Sequence, residues 1–121
     1  MKIFVSHYRH YDFENELYKP LRESALNKKY DFILPHENNV YEKTKEQIKS
    51  ARLVIAEVSQ STSGVGIELG WADAFGVPIV CIHKAGTKPS NSLKFLTIDF
   101  LEYDSAQTMI RKLTDYISTR V

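Results

Sequence analysis

Apolar positions along the chain switch repeatedly between strand-like and helix-like spacing. Lys2–Ser6 is short, apolar and β-branched at Ile3 and Val5, the pattern of a buried strand. Phe13, Leu17, Leu21 and Ala25 then recur every four residues, which predicts a helix over 11–29 with Asp12 as its N-cap. Pro20 has no amide to donate, so a kink there or a division into two short helices is expected. Asp31–Pro35 reads as the second strand. Tyr41, Thr44, Ile48 and Ala51 share one helical face, with Glu42, Lys45, Glu46 and Lys49 mostly outward.

Arg52–Val58 is a continuous apolar run, the type buried on both faces of a parallel sheet. Gly64–Phe75 predicts a third helical segment that stops at Gly76, and Pro78 opens the strand Pro78–His83. A polar loop covers Lys84 to Asn91, and Phe95–Phe100 reads as a weaker fifth strand. Ser105 is placed to cap a last helix with Ala106, Met109, Ile110, Leu113 and Ile117 inward. This alternation predicts one α/β domain over 1–121, a three-layer α/β/α sandwich around a five-stranded parallel, flavodoxin-like sheet. Ligands of such sheets bind beyond the carboxyl ends of the strands, near the topological switch point. Four loops meet that description: Ser6–His10, Pro35–Asn39, Ser59–Gly66 and His83–Ser92.

Composition narrows the classes. A chain of 121 residues with net charge +1 has no broad electrostatic reason to bind a nucleic acid polymer or a membrane surface. No apolar run approaches a membrane span, and the N-terminal segment lacks a signal peptide's apolar region, so a cytoplasmic protein is expected. The single cysteine, Cys81, excludes an internal disulfide framework and a cysteine-based zinc site, and reads as a small core residue.

The loop Ser59–Gly66 carries the candidate chemistry. A buried strand runs into Ser59, Ser61, Thr62 and Ser63, then Gly64 and Gly66, then a helix. Glycines let backbone amides approach an anion, and a helix start offers unpaired N–H groups with a favourable dipole. Many strand-to-helix turns are rich in these residues simply because they are turns. Glu68 follows in the first turn or so, where the dipole would favour its ionised form. Val65, Leu69 and Ala72 form the expected sheet-facing stripe beside it, and Gly66, Gly70 and Ala74 would allow close packing of helix on sheet. A surface glutamate serving only the helix dipole is the plain alternative.

Ala56 to Ala72, followed by Gly76-Val77-Pro78-Ile79-Val80, resembles the nucleoside 2-deoxyribosyltransferase superfamily. It is most similar to the branch of 2'-deoxynucleoside 5'-monophosphate N-glycosidases. The resemblance implies hydrolysis or transfer at the N-glycosidic bond of a nucleoside or nucleotide, with Glu68 as nucleophile. A carboxylate suits that chemistry, since the sugar gains oxocarbenium character as the base leaves. It also implies a homodimer or higher homo-oligomer, no cofactor and no metal. Phosphate contacts would map to Thr62, Gly64 and Gly66. Ser6, His7 and Arg9 would line the pocket, His36 would lie near the sugar, and Ser92 would reach the neighbouring subunit's phosphate. One departure stands out: the family's aspartate on the helix before the third strand is replaced by Thr44. An arginine, Arg52, stands where another aspartate commonly starts that strand.

His7, His10, His36 and His83 cluster near predicted strand ends, where they could contact phosphate, protonate a leaving base or serve no role. Tyr8, Tyr11 and Trp71 could stack on a nucleobase, although Trp71 equally suits an exposed helix face or a subunit contact. Ile3-Phe4-Val5-Ser6-His7-Tyr8 resembles the start of a Toll/interleukin-1 receptor domain, which implies NAD glycohydrolase activity as an alternative. A non-catalytic nucleotide-binding or interaction module on the same fold is a third.

Overall fold

The computed structural model describes residues 1–37 and 43–120. Tyr41, Glu42 and part of the loop expected over 35–39 lie outside them. The strands are β1 (Lys2–His7), β2 (Asp31–Ile33), β3 (Leu53–Glu57), β4 (Ile79–Lys84) and β5 (Phe100–Tyr103). All pair in parallel, in the order β2-β1-β3-β4-β5. The helices are α1 (Lys19–Glu23), α2 (Leu26–Lys29), α3 (Thr44–Ser50), α4 (Ser63–Ala74) and α5 (Ala106–Arg120). The order is flavodoxin-like, with its switch point between β1 and β3.

Strand alternation builds two cores. Ile3, Val5, Leu53, Ile55, Val80 and Ile82 project to one face, against Leu17, Leu21, Leu26, Met109, Leu113 and Ile117 from the first helices and α5. Phe4, Val54, Ala56, Ile79 and Cys81 project to the other, against Ile48 of α3 and Val65, Leu69 and Ala72 of α4. Burial on both faces explains why β3 reads as an uninterrupted apolar run. Cys81 is a core residue as expected, and burial pushes its thiol up to about 12.

Several local expectations are corrected. The first helical stretch begins with a π-helical turn at Glu14–Tyr18 and passes into α1 through Pro20. The amide of Lys19 donates to Glu14, five residues back, and this wider winding accommodates the proline that cannot donate. The break falls at Ser24, which is extended, so Leu26 and not Ala25 supplies the next buried position. Asp12 makes no side-chain cap; it accepts from Asn15 Nδ2 at 3.0 Å. β2 ends at Ile33, two residues short of the expected Pro35.

The fifth strand is Phe100–Tyr103, not Phe95–Phe100. Asn91–Phe95 instead forms a 3₁₀ turn that leaves Phe95 91% and Ile98 88% exposed. Ser105 caps α5 as expected, its Oγ accepting from the amide of Thr108 at 3.1 Å. The inner face of α5 is Met109, Leu113 and Ile117, with Ile110 partly packed and Ala106 exposed. Gly76, at φ +71, ends α4 in a Schellman turn: Gly76 N donates to Asp73 O and Val77 N to Ala72 O. Among the described residues, no helix is long and apolar enough to cross a membrane.

Candidate active site

A cleft of about 450 Å³ opens at the carboxyl end of β1, beside the switch point. His7, Tyr8, Arg9 and His10 line it from β1 and the loop that follows, and His36 from the loop after β2. Thr44 enters from the start of α3, and Thr62, Ser63, Gly64, Glu68 and Trp71 from the loop and face of α4. The fold thus gathers His7, Arg9, His36, Thr62, Gly64 and Glu68 around one cavity.

Glu68 is half-buried, in the second turn of α4. Ser6 Oγ, fully buried on β1, donates to Glu68 Oε1 at 2.8 Å. Thr44 lines the same cleft, and its hydroxyl also acts to lower the Glu68 pKa. The expectation that the helix dipole would favour ionisation is corrected: the Glu68 pKa is raised. Burial is the dominant cause, and the Ser6 hydrogen bond and the Thr44 hydroxyl only partly offset it. The dipole acts within the first turn, and Glu68 lies beyond it.

The start of α4 suits an anion. Thr62 is the N-cap, and its Oγ1 accepts from the amide of Val65 at 3.4 Å. The first-turn amides of Ser63 and Gly64 have no carbonyl a turn before them, and a Cβ at Gly64 would meet only open space. Gly66 is different. Its amide already donates to Thr62 O at 3.2 Å, and it does not line the cleft. Gly66, Gly70 and Ala74 all face solvent, so they do not bring the helix close to the sheet.

His7 sits inside the wall of the cleft. Its Nδ1 faces the carbonyl of Tyr8 at 2.7 Å, so that nitrogen carries the proton. Its Nε2 then accepts from Tyr18 Oη at 2.6 Å, and Tyr18 Oη in turn accepts from the amide of His36 at 3.1 Å. Burial holds the His7 pKa down at about 4, so the ring is neutral near pH 7. With both nitrogens occupied, His7 shapes the cleft through Tyr18 and His36. His36 is partly exposed; burial, reinforced by the charge of Arg9, lowers its pKa as well.

Two partners were not legible from the sequence. Tyr18 bridges His7 to the His36 loop, although helical spacing offers only an aromatic beside the stripe. Glu57, fully buried at the end of β3, accepts from the amide of Ser59 at 2.6 Å and from the Tyr103 hydroxyl. Ser59 Oγ also accepts from the amide of Lys84 at 2.8 Å. This network ties the carboxyl ends of β3, β4 and β5 together where the chain turns toward Thr62. A lone acid closing an apolar strand was its only signal.

Ser92 is exposed in the 3₁₀ turn and does not line this cleft. Among the described residues, no group of three or more His, Cys, Asp or Glu side chains gathers as a metal site.

No protein-family profile matches the chain. A Syntrophotalea carbinolica protein, whose name assigns it provisionally as 2'-deoxynucleoside 5'-phosphate N-hydrolase 1, is 32% identical over 82 residues. That match covers 65% of this chain and 58% of the relative. The 5-hydroxymethyl-dUMP N-hydrolase of Mus musculus is 42% identical over 45 residues, covering 37% of this chain and 26% of the mouse protein. The chain therefore spans under two thirds of the length of the curated relatives it matches.

Among solved structures, the CMP N-glycosidase of Clostridium botulinum superposes with TM-score 0.69 at 19% identity, covering 94% of this chain and 99% of that one. A conserved protein from Enterococcus faecalis V583 gives TM-score 0.67 at 16% identity, covering 96% and 98%. These solved structures share the α/β fold of the chain. Its sequence relatives carry nucleotide N-hydrolase names, and Ala56–Ala72 resembles the same branch.

Proposed function

We propose that the chain cleaves the N-glycosidic bond of a nucleoside 5'-monophosphate or nucleoside, with Glu68 as the group that meets C1'. The observation that carries this reading is the Glu68 carboxylate, held by Ser6 in a cleft that Thr44 also lines and that contains the open start of α4. A phosphate at Ser63 and Gly64, within reach of Thr62 and Arg9, would orient the sugar toward Glu68. The free Glu68 oxygen attacks C1' as the C1'–N bond breaks, and the bond's electron pair leaves with the base, which takes a proton from solvent. Water then attacks C1' of the glycosyl ester, releasing the sugar phosphate and restoring the carboxylate. A second base in place of water would give transfer.

His36 and His7 are assigned to shaping the sugar side of the cleft, and Gly66 is not retained as a phosphate contact. We assign Ser92 to a neighbouring subunit's site in a homodimer. Exposed Phe95 and Ile98, beside Ser92 in sequence, support that assignment because a lone chain leaves them in water.

The test is a substrate panel of deoxynucleoside monophosphates, ribonucleoside monophosphates, nucleosides and NAD, with free base followed by chromatography. Base release from the monophosphates, weaker from nucleosides, is the expected result. Release from NAD alone would replace this reading with that of an NAD glycohydrolase.

A further inference from the structure

Three aromatic side chains stand at or beside the cleft, and the structure separates them. Tyr8 is buried and stacked on Tyr11, with ring centroids 4.3 Å apart. Tyr11 in turn carries the Lys84 ammonium 5.0 Å from its ring centroid. Both rings are therefore occupied by the protein's own contacts. Trp71 lines the cleft half-buried, packed in part against the core that α4 shares with the sheet. That packing steadies the indole and leaves the rest of it to the cavity. Lys45, exposed on α3, holds its ammonium 5.9 Å from the indole centroid, the outer limit of a cation–π contact, so an entering ring displaces it at little cost.

The placement of Trp71 follows from helix geometry. Gly64, Glu68 and Trp71 stand at i, i+4 and i+7 of α4, on one stripe of the helix, and all three line the cleft. At 1.5 Å per residue, Glu68 lies about 6 Å along the axis from Gly64, and Trp71 about 4.5 Å further. Helical side chains lean toward the N-terminus, so the indole leans back over the turn that carries Glu68. The stripe thus runs from open backbone amides through a carboxylate to an aromatic ring. A nucleoside 5'-monophosphate has its parts in the same order: phosphate, sugar, base. Laid the other way, its phosphate would lose the helix-start amides and its base would lose the indole.

We propose that Trp71 is the base platform of this cleft: its indole stacks on the nucleobase whose bond to C1' Glu68 meets, and so distinguishes a nucleotide from its sugar phosphate. This rests on the reading of Glu68 as the group that meets C1'. Stacking reads the face of a base, which every base offers, so the platform admits purines and pyrimidines alike. The contact is made before the bond breaks, so its loss shows in KM more than in kcat.

Trp71 is the chain's single tryptophan, so its fluorescence reports the contact directly. The Glu68→Gln protein, used to keep the nucleotide intact, is titrated with cytidine, deoxycytidine, adenosine and deoxyadenosine 5'-monophosphates and with ribose and deoxyribose 5-phosphates. Binding is followed in parallel by calorimetry. Each nucleotide that binds should quench the indole in step with binding, and the sugar phosphates should bind without quenching. In the otherwise wild-type chain, Trp71→Ala should raise nucleotide KM about tenfold with kcat little changed, whereas Trp71→Phe, which keeps a stacking face, should stay within about threefold of wild type. Inhibition by the sugar phosphates should not move. Nucleotide binding without quenching overturns the proposal. So does equal weakening of nucleotide and sugar phosphate by Trp71→Ala, the mark of a structural role. If the alanine variant fails to fold, binding without quenching overturns it alone. Quenching by a nucleotide that Glu68→Gln cleaves at the wild-type rate would overturn the reading of Glu68 and leave the platform standing. Absence of binding by every nucleotide would overturn both.

Discussion

Ser6 on β1 donates its hydroxyl to Glu68 on α4 at 2.8 Å, joining two residues far apart in sequence at the switch point of the sheet. The bond orients the carboxylate and opposes the desolvation that raises its pKa. Ser6→Ala is expected to lower kcat about tenfold while the fold is kept, because the side chain that remains fits the same space. Steady-state kinetics alongside thermal unfolding would separate the two effects.

The raised Glu68 pKa fixes the sign of two pH effects. Attack on C1' needs the carboxylate, so activity should fall on the acid side at a higher pH than an ordinary glutamate would give. In stability the sign is the reverse of a paired carboxylate. The folded pKa lies above the unfolded one, so the ionised group destabilises the fold above its folded pKa, and this penalty vanishes below the unfolded value. Glu68→Gln should therefore raise the unfolding midpoint at pH 7 and leave it unchanged in acid, measured by thermal melts at both pH values.

Glu57 anchors the turn that leads to the start of α4. Glu57→Ala would strand the amide of Ser59 and the hydroxyl of Tyr103, and should destabilise the protein by about 3 kcal/mol. Urea unfolding would measure it. Glu57→Gln, whose carbonyl still accepts from the Ser59 amide while its NH2 can donate to the Tyr103 oxygen, should lose less.

Arg22 grips Glu37 with two nitrogens at 2.9 and 2.8 Å and also donates to the carbonyl of Phe32, tying the first helices to the His36 loop. The pairing holds the Glu37 carboxyl below its usual range, so this stabilisation is present at neutral pH and lost as pH falls through the folded value. Both side chains are about one-third exposed, so Arg22→Ala should cost about 1 kcal/mol or less. KM should rise more than kcat falls, because the pair holds a cleft wall.

Phe95 stands 91% exposed beside Ser92. If this turn meets a second copy, Phe95→Glu should shift sedimentation toward the monomer and weaken monophosphate binding. Unaltered sedimentation and affinity would place the 3₁₀ turn outside any functional contact.

The sequence made the sheet legible because strands buried on both faces leave long apolar runs, as in Arg52–Val58, and because Gly76 marks its helix end by backbone geometry alone. The π-helical turn was hidden: a four-residue apolar spacing looks the same whether Lys19 donates four or five residues back. The fifth strand, Phe100–Tyr103, lies after its apolar signal because Phe95 and Ile98 are apolar yet point into solvent. Clustering of His7, Arg9, His36, Thr62, Gly64 and Glu68 follows from topology, since parallel strands all end at one sheet edge, whereas Ser92 lies outside the cleft. The charge state of Glu68 did not follow, because burial and the Ser6 and Thr44 hydroxyls come from elements distant in sequence. At Gly66, spacing cannot tell a free helix amide from one bonded to the Thr62 carbonyl, as it is here.

The most direct measurement is the rate of free-base release from a panel of nucleoside 5'-monophosphates by wild type and by Glu68→Gln. Loss of at least about 100-fold in kcat for the variant, with the nucleotide still bound, is the predicted result. Base release by Glu68→Gln at the wild-type rate would contradict it.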